Sequence, residues 1–238
     1  MRRALIAAAA AILIAAAGPA RAQSWLNSPG SVGATTVEVG RAKLTLPPGE
    51  WKLAAEYTDM NRGGTDPFVH RVYYQIEGGR IAAVIMVTAN SVISRSGFAA
   101  PKDNQGRPLC ERRDVFLNES KNIFDNTFDC MFVNHDMMGY QSVDDPLWGP
   151  ARKAMASVGG LPRPMIYAWF NKAGHTGWDS VWVNVYFNPA VAGFTSSTGQ
   201  WTDSEWHPNN ATPDRVAYLN KVAAWARAYR AVVAKVWD

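Results

Sequence analysis

The sequence lacks the residue patterns that mark the common catalytic and metal sites. Its 238 residues include only two cysteines and four histidines, and each histidine stands alone in its segment. There is no His-Glu-x-x-His zinc motif, no Gly-x-Ser-x-Gly nucleophile turn and no glycine-rich phosphate loop. We therefore expect no metal and no cofactor, and the sequence favours a protein without catalytic activity.

Long hydrophobic runs are also scarce, and the one that is present lies at the start of the chain. Arg2 and Arg3 precede an apolar run over residues 4–17, and residues 20–22 supply a small-x-small cleavage pattern. This arrangement is typical of a secretory signal peptide, and the run is shorter than the ~20 residues that a membrane span needs. We predict that residues 1–22 are a signal peptide and that the protein is periplasmic or secreted. No integral membrane segment is expected after leader removal.

A large excess of either charge is missing once the leader is set aside. The whole chain has a net charge of +4, but three of its 24 Lys and Arg residues lie in the leader, so the remainder carries +1. Proteins that bind nucleic acid concentrate basic residues on one face, and the overall charge does not support such a face. We predict no nucleic-acid partner, and we expect an envelope ligand or protein of unknown identity instead.

The two cysteines, Cys110 and Cys130, are expected to form a structural disulfide. Exported proteins keep paired cysteines oxidised, and this pair lacks the close Cys-x-x-Cys spacing of redox and zinc sites. A closed loop of about twenty residues stabilises a fold by ~3 kcal/mol in the chain-entropy description. We therefore expect the segment between the cysteines to be a loop that the disulfide ties to the rest of the fold.

The remainder of the chain has the length of one domain. Residues 23–36 are small and polar, which predicts a flexible mature N-terminus, and residues 37–238 are predicted to form a single α+β domain. The clearest hairpin joins strands at Val69–Ile76 and Ile81–Ala89 through two glycines. Because residues 81–88 are almost all apolar, we expect a central strand with a helix on one side.

Two helices are predicted beside the strands. Asp144 or Asp145 caps a short inserted helix that ends at Val158 before two glycines. Thr212 and Pro213 begin a long amphipathic C-terminal helix. Together these elements predict an α+β fold with a mainly antiparallel β-sheet, an inserted short helix and a long C-terminal amphipathic helix packed on the sheet.

The region around the cysteines leaves two alternatives open. Cys110–Leu117 and Phe128–His135 can be paired strands that are linked by an asparagine-rich excursion. Residues 118–128 can instead form a short helix. The residue pattern does not decide between a loop and a helix there.

An aromatic strand face is the leading candidate for a ligand-binding site. Val181, Val183, Val185 and Phe187 alternate with polar and aromatic neighbours, so the two sets face opposite sides of a strand. Aromatic rings at a polar edge stack on sugars or peptide side chains, although strands also use aromatic residues for packing alone. The second set, which is the candidate site, consists of Trp182, Asn184 and Tyr186.

Charged residues beside the cysteines supply two further candidates. Arg112 could grip a carboxylate or phosphate through its guanidinium, or it could form an ordinary local ion pair with Asp114. His135 could act in a hydrolase with Asp114 or Asp136 as the acid that orients its ring. Neighbours on a strand point to opposite faces, however, which favours a structural role for His135 beside Asp136.

Several short motifs resemble those of an uncharacterised family of exported proteobacterial proteins of unknown function. They are LPPGEW at residues 46–51, Cys-x-Arg-x-Asp at 110–114, Cys-x-x-Val-Asn-His at 130–135 and Phe-Asn-Pro at 187–189. The resemblance implies a periplasmic location and brings no activity with it. The order of strands and helices is also similar to the Mog1/PsbP-like α/β/α sandwich. The leading hypothesis is a periplasmic binding or envelope-associated module, and the alternative is a hydrolase that uses His135.

Overall fold

The computed structural model describes residues 23–60, 66–95, 97–99, 101–102, 106–124, 127–136, 143–174, 178–195 and 201–237. It contains nine strands and two α-helices within those ranges. The strands are β1 Thr36–Val39, β2 Ala42–Thr45, β3 Lys52–Met60, β4 Pro67–Glu77, β5 Arg80–Asn90, β6 Leu117–Phe124, β7 Thr127–Asp136, β8 Met165–Ala173 and β9 Ser180–Phe187; the helices are α1 Trp148–Met155 and α2 Pro213–Val233.

Seven of the strands form one antiparallel sheet in the order β3-β4-β5-β9-β8-β7-β6, and β1 and β2 form a separate hairpin. Each neighbouring pair in the large sheet is antiparallel. The predicted α+β class is therefore confirmed, with the short inserted helix and the long C-terminal helix in their expected places.

The β4–β5 hairpin follows from its turn residues. Gly78 and Gly79 both have positive φ values, of 57° and 76°, which is the conformation that a two-residue primed turn requires. A register shift between Gln75 and Ile76 then moves every later pair of the hairpin by one residue.

The main core lies on the face of the sheet that α2 covers, called here the α2 face. It takes the apolar side of β9, predicted from its alternation, together with Ala83, Ile85 and Val87 of β5. The helix itself lies against β8 and β7. Its contribution consists of Tyr218, Leu219, Val222, Ala223, Trp225, Ala226, Tyr229 and Val233.

The start of the described chain differs from the predicted flexible N-terminus. Residues Ser24–Asn27 form a short 3₁₀ helix, and Trp25 and Leu26 are buried in the main core. The Trp25 ring lies 5.3 Å from that of Phe187 and 5.1 Å from that of Trp225. Residues 23–27 are therefore part of the packed core, because two large apolar side chains outweigh the polar residues around them.

The opposite face of the sheet, called here the α1 face, has two smaller clusters. Trp148, Ala151 and Met155 of α1 pack on one of them. The N-cap of this helix is Leu147 rather than Asp144 or Asp145. The carboxylate of Asp145 still accepts hydrogen bonds from the backbone nitrogens of Leu147 and Trp148 at 2.9 and 2.7 Å. The other cluster surrounds the cysteines and consists of Cys110, Phe128, Cys130, Phe132, Trp169 and Ala173.

The region that sequence left open is a strand. Residues 117–124 form β6, which pairs with β7. Residues 118–124 are therefore in a strand, not in a loop or a helix, and residues 125–126 lie outside the described ranges. Cys110 lies in a short 3₁₀ helix at Leu109–Glu111 rather than in a strand. Within the described ranges, none of the helices combines the length and the apolar character that crossing a bilayer would require.

Candidate functional site

The centre of the α1 face carries four side chains that we call the Trp–Asn tile. In the β8–β9 register Trp169 lies opposite Asn184, and Asn171 lies opposite Trp182. Directly paired residues share a face, and Phe170 and Val183, which alternate with them, point into the α2-face core. The sheet therefore brings two tryptophans and two asparagines together as a two-by-two group.

The two asparagines of the tile are buried, and three of their four amide atoms lack a partner among the described residues. Asn171 has an exposed fraction of 0% and Asn184 one of 6%. Within the described ranges, both polar atoms of the Asn171 amide and the carbonyl oxygen of Asn184 have no hydrogen-bond partner. An unsatisfied buried polar group costs about 1–3 kcal/mol, and such groups are rare in folded proteins. The tile therefore holds hydrogen-bonding capacity that the described residues do not use.

The two tryptophans have different environments. Trp169 is buried, and its ring stacks on Phe132 with centroids 4.7 Å apart. Trp182 is 36% exposed, which is unusual for so large a side chain in the middle of a sheet. Trp169 therefore supports the tile from one side, while Trp182 can offer its ring to a ligand.

Three hydrogen-bonded side chains, Thr88, His70 and Asp59, lie on the strands beside Trp182. Thr88 lies opposite Trp182, and His70 lies opposite Thr88. The His70 Nδ1 atom is 2.8 Å from the Thr88 hydroxyl, and its Nε2 atom is 2.9 Å from an oxygen of Asp59. The ring of Tyr57 lies 6.1 Å from that of His70. These contacts hold His70 in one orientation beside the tile.

The sequence pattern did not identify Asp59, His70 or Thr88 as candidate site residues. His70 lies in a strand that the sequence indicates only through its apolar residues, and its neighbours form no recognisable motif. The available signal was the hairpin itself, since a turn at Gly78 and Gly79 places His70 near residues 87 and 88. The register shift after Gln75 selects Thr88.

Tyr186 lies on the predicted face but is covered. It is buried, stacks on Tyr167 with centroids 5.5 Å apart, and meets Trp148 of α1 edge-on at 6.1 Å. Burial raises the pKa of its hydroxyl, and the nearby carboxylate of Asp136 raises that pKa further. Of the three predicted residues, Trp182 and Asn184 thus belong to the tile and Tyr186 supports α1 beside it.

Arg112 and Asp114 form a bidentate pair. The guanidinium donates to the two carboxylate oxygens of Asp114 at 2.9 and 2.8 Å, and it lies 5.4 Å from the ring centre of Phe132. The hydrogen bond from Arg112 is the main reason that the pKa of Asp114 is lowered. Arg112 also interacts with the hydroxyl of Tyr167. Its fork is therefore occupied by an internal carboxylate, in keeping with the ion-pair interpretation.

A cavity of about 410 Å³ opens beside this pair. Its wall carries three arginines, Arg107, Arg112 and Arg113, and two acids, Glu111 and Asp114, so one positive charge is in excess. The guanidinium of Arg112 is already paired with Asp114. This cavity is a weaker candidate than the tile, because its best-placed arginine is satisfied internally.

His135 is separated from the acids that were considered as its partners. It pairs with Ile166, whose side chain is in the α2-face core, whereas Asp136 pairs with Met165 on the α1 face. Asp114 also lies on the α1 side, through its pair with Arg112. His135 is 2% exposed, and its ring centre is 6.2 Å from that of His207. The structure thus does not bring His135 together with Asp114 or Asp136.

Cys110 and Cys130 are joined as a disulfide, with Cα atoms 5.3 Å apart. The predicted pairing is therefore present. Two further contacts hold the preceding segment to β6, because Ser120 donates to the Cys110 carbonyl at 2.6 Å and Asn118 donates to the Arg112 carbonyl at 2.7 Å. Among the residues that the structure describes, no three His, Cys, Asp or Glu side chains are grouped as metal ligands would be.

Comparison with known proteins adds little to this geometry. No family model matches the chain, and no curated protein matches it. A solved structure that is similar is described as a possible transcriptional regulator, YydK, from Bacillus subtilis, with 9% identity, 74% of this chain and 79% of that chain covered, and a TM-score of 0.29. A likeness this distant carries no argument about fold or function. The fold and the tile by themselves define an α+β protein with an aromatic and amide surface at the centre of its sheet.

Proposed function

We propose that this protein is an exported binding module of the cell envelope that holds a polar ligand on the Trp–Asn tile. The observation that carries the proposal is the pair of unsatisfied amides, Asn171 and Asn184, beside the exposed ring of Trp182. The export prediction for residues 1–22 supplies the compartment. The resemblance to exported proteobacterial proteins supports the same location.

The chemistry of the tile favours a carbohydrate-type ligand. A pyranose ring has an apolar C–H face, which packs on an indole, and an edge of hydroxyl groups, which donate and accept hydrogen bonds. An asparagine amide offers one acceptor and two donors. Asn171 and Asn184 are 0% and 6% exposed, so ligand hydroxyls reach these amides only after the side chains that cover them move aside, whereas the ring of Trp182 is accessible directly. The ligand would thus satisfy groups that are costly in the free protein.

Binding without catalysis suits the site better than hydrolysis does. The one Asp–His–hydroxyl chain that the described residues form ends at Thr88, which is 2% exposed. A nucleophile must reach its substrate, and this hydroxyl is enclosed by the sheet. His70 therefore serves to orient the wall of the site.

The direct test is a ligand screen with a matched pair of variants. Thermal shift against soluble peptidoglycan fragments and neutral oligosaccharides should find a ligand, and calorimetry should give its affinity. We expect Trp182→Ala to weaken binding roughly tenfold or more, as loss of an aromatic anchor does. Trp178→Ala is the control, because Trp178 is also exposed but lies outside the tile. Absence of any ligand, or equal affinities for the two variants, would contradict the proposal.

A second measurement separates function from stability. Asn171→Leu keeps the size of the side chain and removes an unsatisfied amide, so we expect the free protein to gain about 1–3 kcal/mol. The same change should abolish the ligand-induced thermal shift. A destabilised Asn171→Leu protein would mean that the amide is already satisfied in the free state.

A further inference from the structure

Gln23 is the first residue after the predicted cleavage site, and it is held unusually firmly. It is 1% exposed. Its side-chain nitrogen donates to the Ala82 carbonyl at 2.6 Å, and its side-chain oxygen accepts from the Tyr218 hydroxyl at 2.8 Å. These partners lie 59 and 195 residues away along the chain, so Gln23 connects β5 with α2.

The backbone nitrogen of Gln23 faces a carboxylate. It donates to an oxygen of Glu77 at 2.6 Å. Partial burial raises the pKa of Glu77, and the Gln23 N–H opposes that rise. An amide N–H offers a neutral donor to this carboxylate, whereas an α-ammonium at the same place would offer a full positive charge.

The backbone conformation of Gln23 also suits the first residue of a chain better than an internal residue. Its φ is 56°, and among the residues that the structure describes it is the one non-glycine residue with a positive φ. Part of the strain of this conformation comes from contact of the side chain with the preceding carbonyl group. A chain that begins at Gln23 has no preceding carbonyl, so cleavage there would remove that part of the strain.

We propose that cleavage after Ala22 makes Gln23 the mature N-terminus and that its new α-ammonium forms an ion pair with Glu77. Cleavage hydrolyses the Ala22–Gln23 peptide bond, with the carboxylate remaining on Ala22 and the amine on Gln23. Trp25 and Leu26, buried in the main core, fix the segment so that the ammonium stays beside Glu77. Processing would thereby stabilise the folded protein.

The test compares the melting temperatures of two chains that differ by one residue at the N-terminus. One chain begins at Gln23 and the other at Ala22, and both are made by removing a tag without leaving extra residues. In the second chain the Gln23 nitrogen is an amide again. We expect the Gln23 chain to melt higher by about 2–4 °C or more, which is the shift that a modest stabilisation produces in a chain of this size.

The variant Glu77→Gln completes the cycle. Glutamine keeps a hydrogen-bond acceptor and removes the charge. The difference in melting temperature between the Gln23 and Ala22 chains should therefore shrink markedly. The full chain is also expressed in an exporting bacterium, and the intact mass of the processed protein should correspond to residues 23–238. Processing at another bond, or equal melting temperatures for the Gln23 and Ala22 chains with Glu77 present, would overturn the proposal. Neither result depends on ligand binding at the Trp–Asn tile.

Discussion

Buried polar side chains are distributed unevenly over the two faces of the three central strands, β5, β9 and β8. On the α2 face their inner residues are aliphatic or aromatic, and the buried polar residues Gln75 and His135 of that face lie on β4 and β7. On the α1 face Thr88, Asn171 and Asn184 of the central strands are all buried. Polar groups weaken a core unless something satisfies them. This asymmetry, at the level of single residues, is the reason for placing the binding site on the α1 face.

The Arg112–Asp114 pair makes a prediction about pH. Because the folded pKa of Asp114 is lowered by Arg112, the ionised carboxylate stabilises the fold above its unfolded pKa of about 3.9. That stabilisation is lost as the pH falls through the folded value. We expect Asp114→Asn to lower the melting temperature slightly at pH 7, by the equivalent of up to about 1 kcal/mol for a partly exposed pair.

Melting curves of the wild type and Asp114→Asn between neutral and strongly acidic pH check this prediction. The two curves should converge as the pH falls below the folded pKa, because both proteins then lack the charge. Arg113→Gln is a suitable control, since Arg113 is exposed and lies on the wall of the same cavity. A difference between wild type and Asp114→Asn that persists at the lowest pH would show that the carboxylate acts without its charge.

At the scale of elements, ion pairs and the disulfide attach covering segments to the sheet. Arg230 of α2 is buried and donates to the carboxylate of Asp129 on β7 at 2.8 Å, and to its carbonyl at 2.6 Å. Arg227 pairs with Glu119 of β6 at 2.7 Å. The helix is thus oriented along its polar side by β6 and β7, while its apolar side fills the core.

The disulfide should contribute substantially to stability. We expect the double variant Cys110→Ala with Cys130→Ala to unfold at lower urea concentration, with a loss of about 3 kcal/mol for a loop of this length. Both sulfur atoms are enclosed in the cluster around Phe132, so part of the loss will reflect packing. Wild-type protein unfolded in the presence of a reductant is the comparison. Equal stability of the oxidised and reduced proteins would show that Asn118 and Ser120 suffice to hold the segment.

At the scale of the molecule, the large sheet is a central layer, and different elements cover its two faces. The hairpin β1–β2, residues 24–27 and α2 cover one side, and α1 and the disulfide segment cover the other. β5 and β9 lie inside the sheet with strands on both sides, whereas β3 and β6 are its edges. Opening of the structure should therefore begin at the edges.

Hydrogen exchange would reveal this order. We expect the amides of β5 and β9 to exchange most slowly, at rates near the limit of global unfolding, and those of β3 to exchange faster. β6 should be intermediate, because the disulfide and α2 hold its neighbourhood. Protection of β3 equal to that of β9 would contradict the layered description, and it would point to an additional element that covers the β3 edge.

Much of the fold could be read from local patterns. The alternation of Val181, Val183 and Val185 identified a two-faced strand, and the adjacent glycines at 78 and 79 identified the turn of the β4–β5 hairpin. Pro213 marked the first residue of α2. The compartment argument paired Cys110 with Cys130. Each inference worked because it depends on the conformational preferences of a few consecutive residues or on the number of cysteines available.

The remaining features depend on register and on contacts between distant segments. The shift after Gln75 decides that His70 meets Thr88, and the pairing of β8 with β9 decides that Asn171 meets Trp182. No local pattern encodes either one, because a shift by one residue changes every partner along a strand. The sequence by itself therefore determined the strand faces, the helices and the disulfide. Only the tertiary structure decided which polar side chains lie together and which remain unsatisfied.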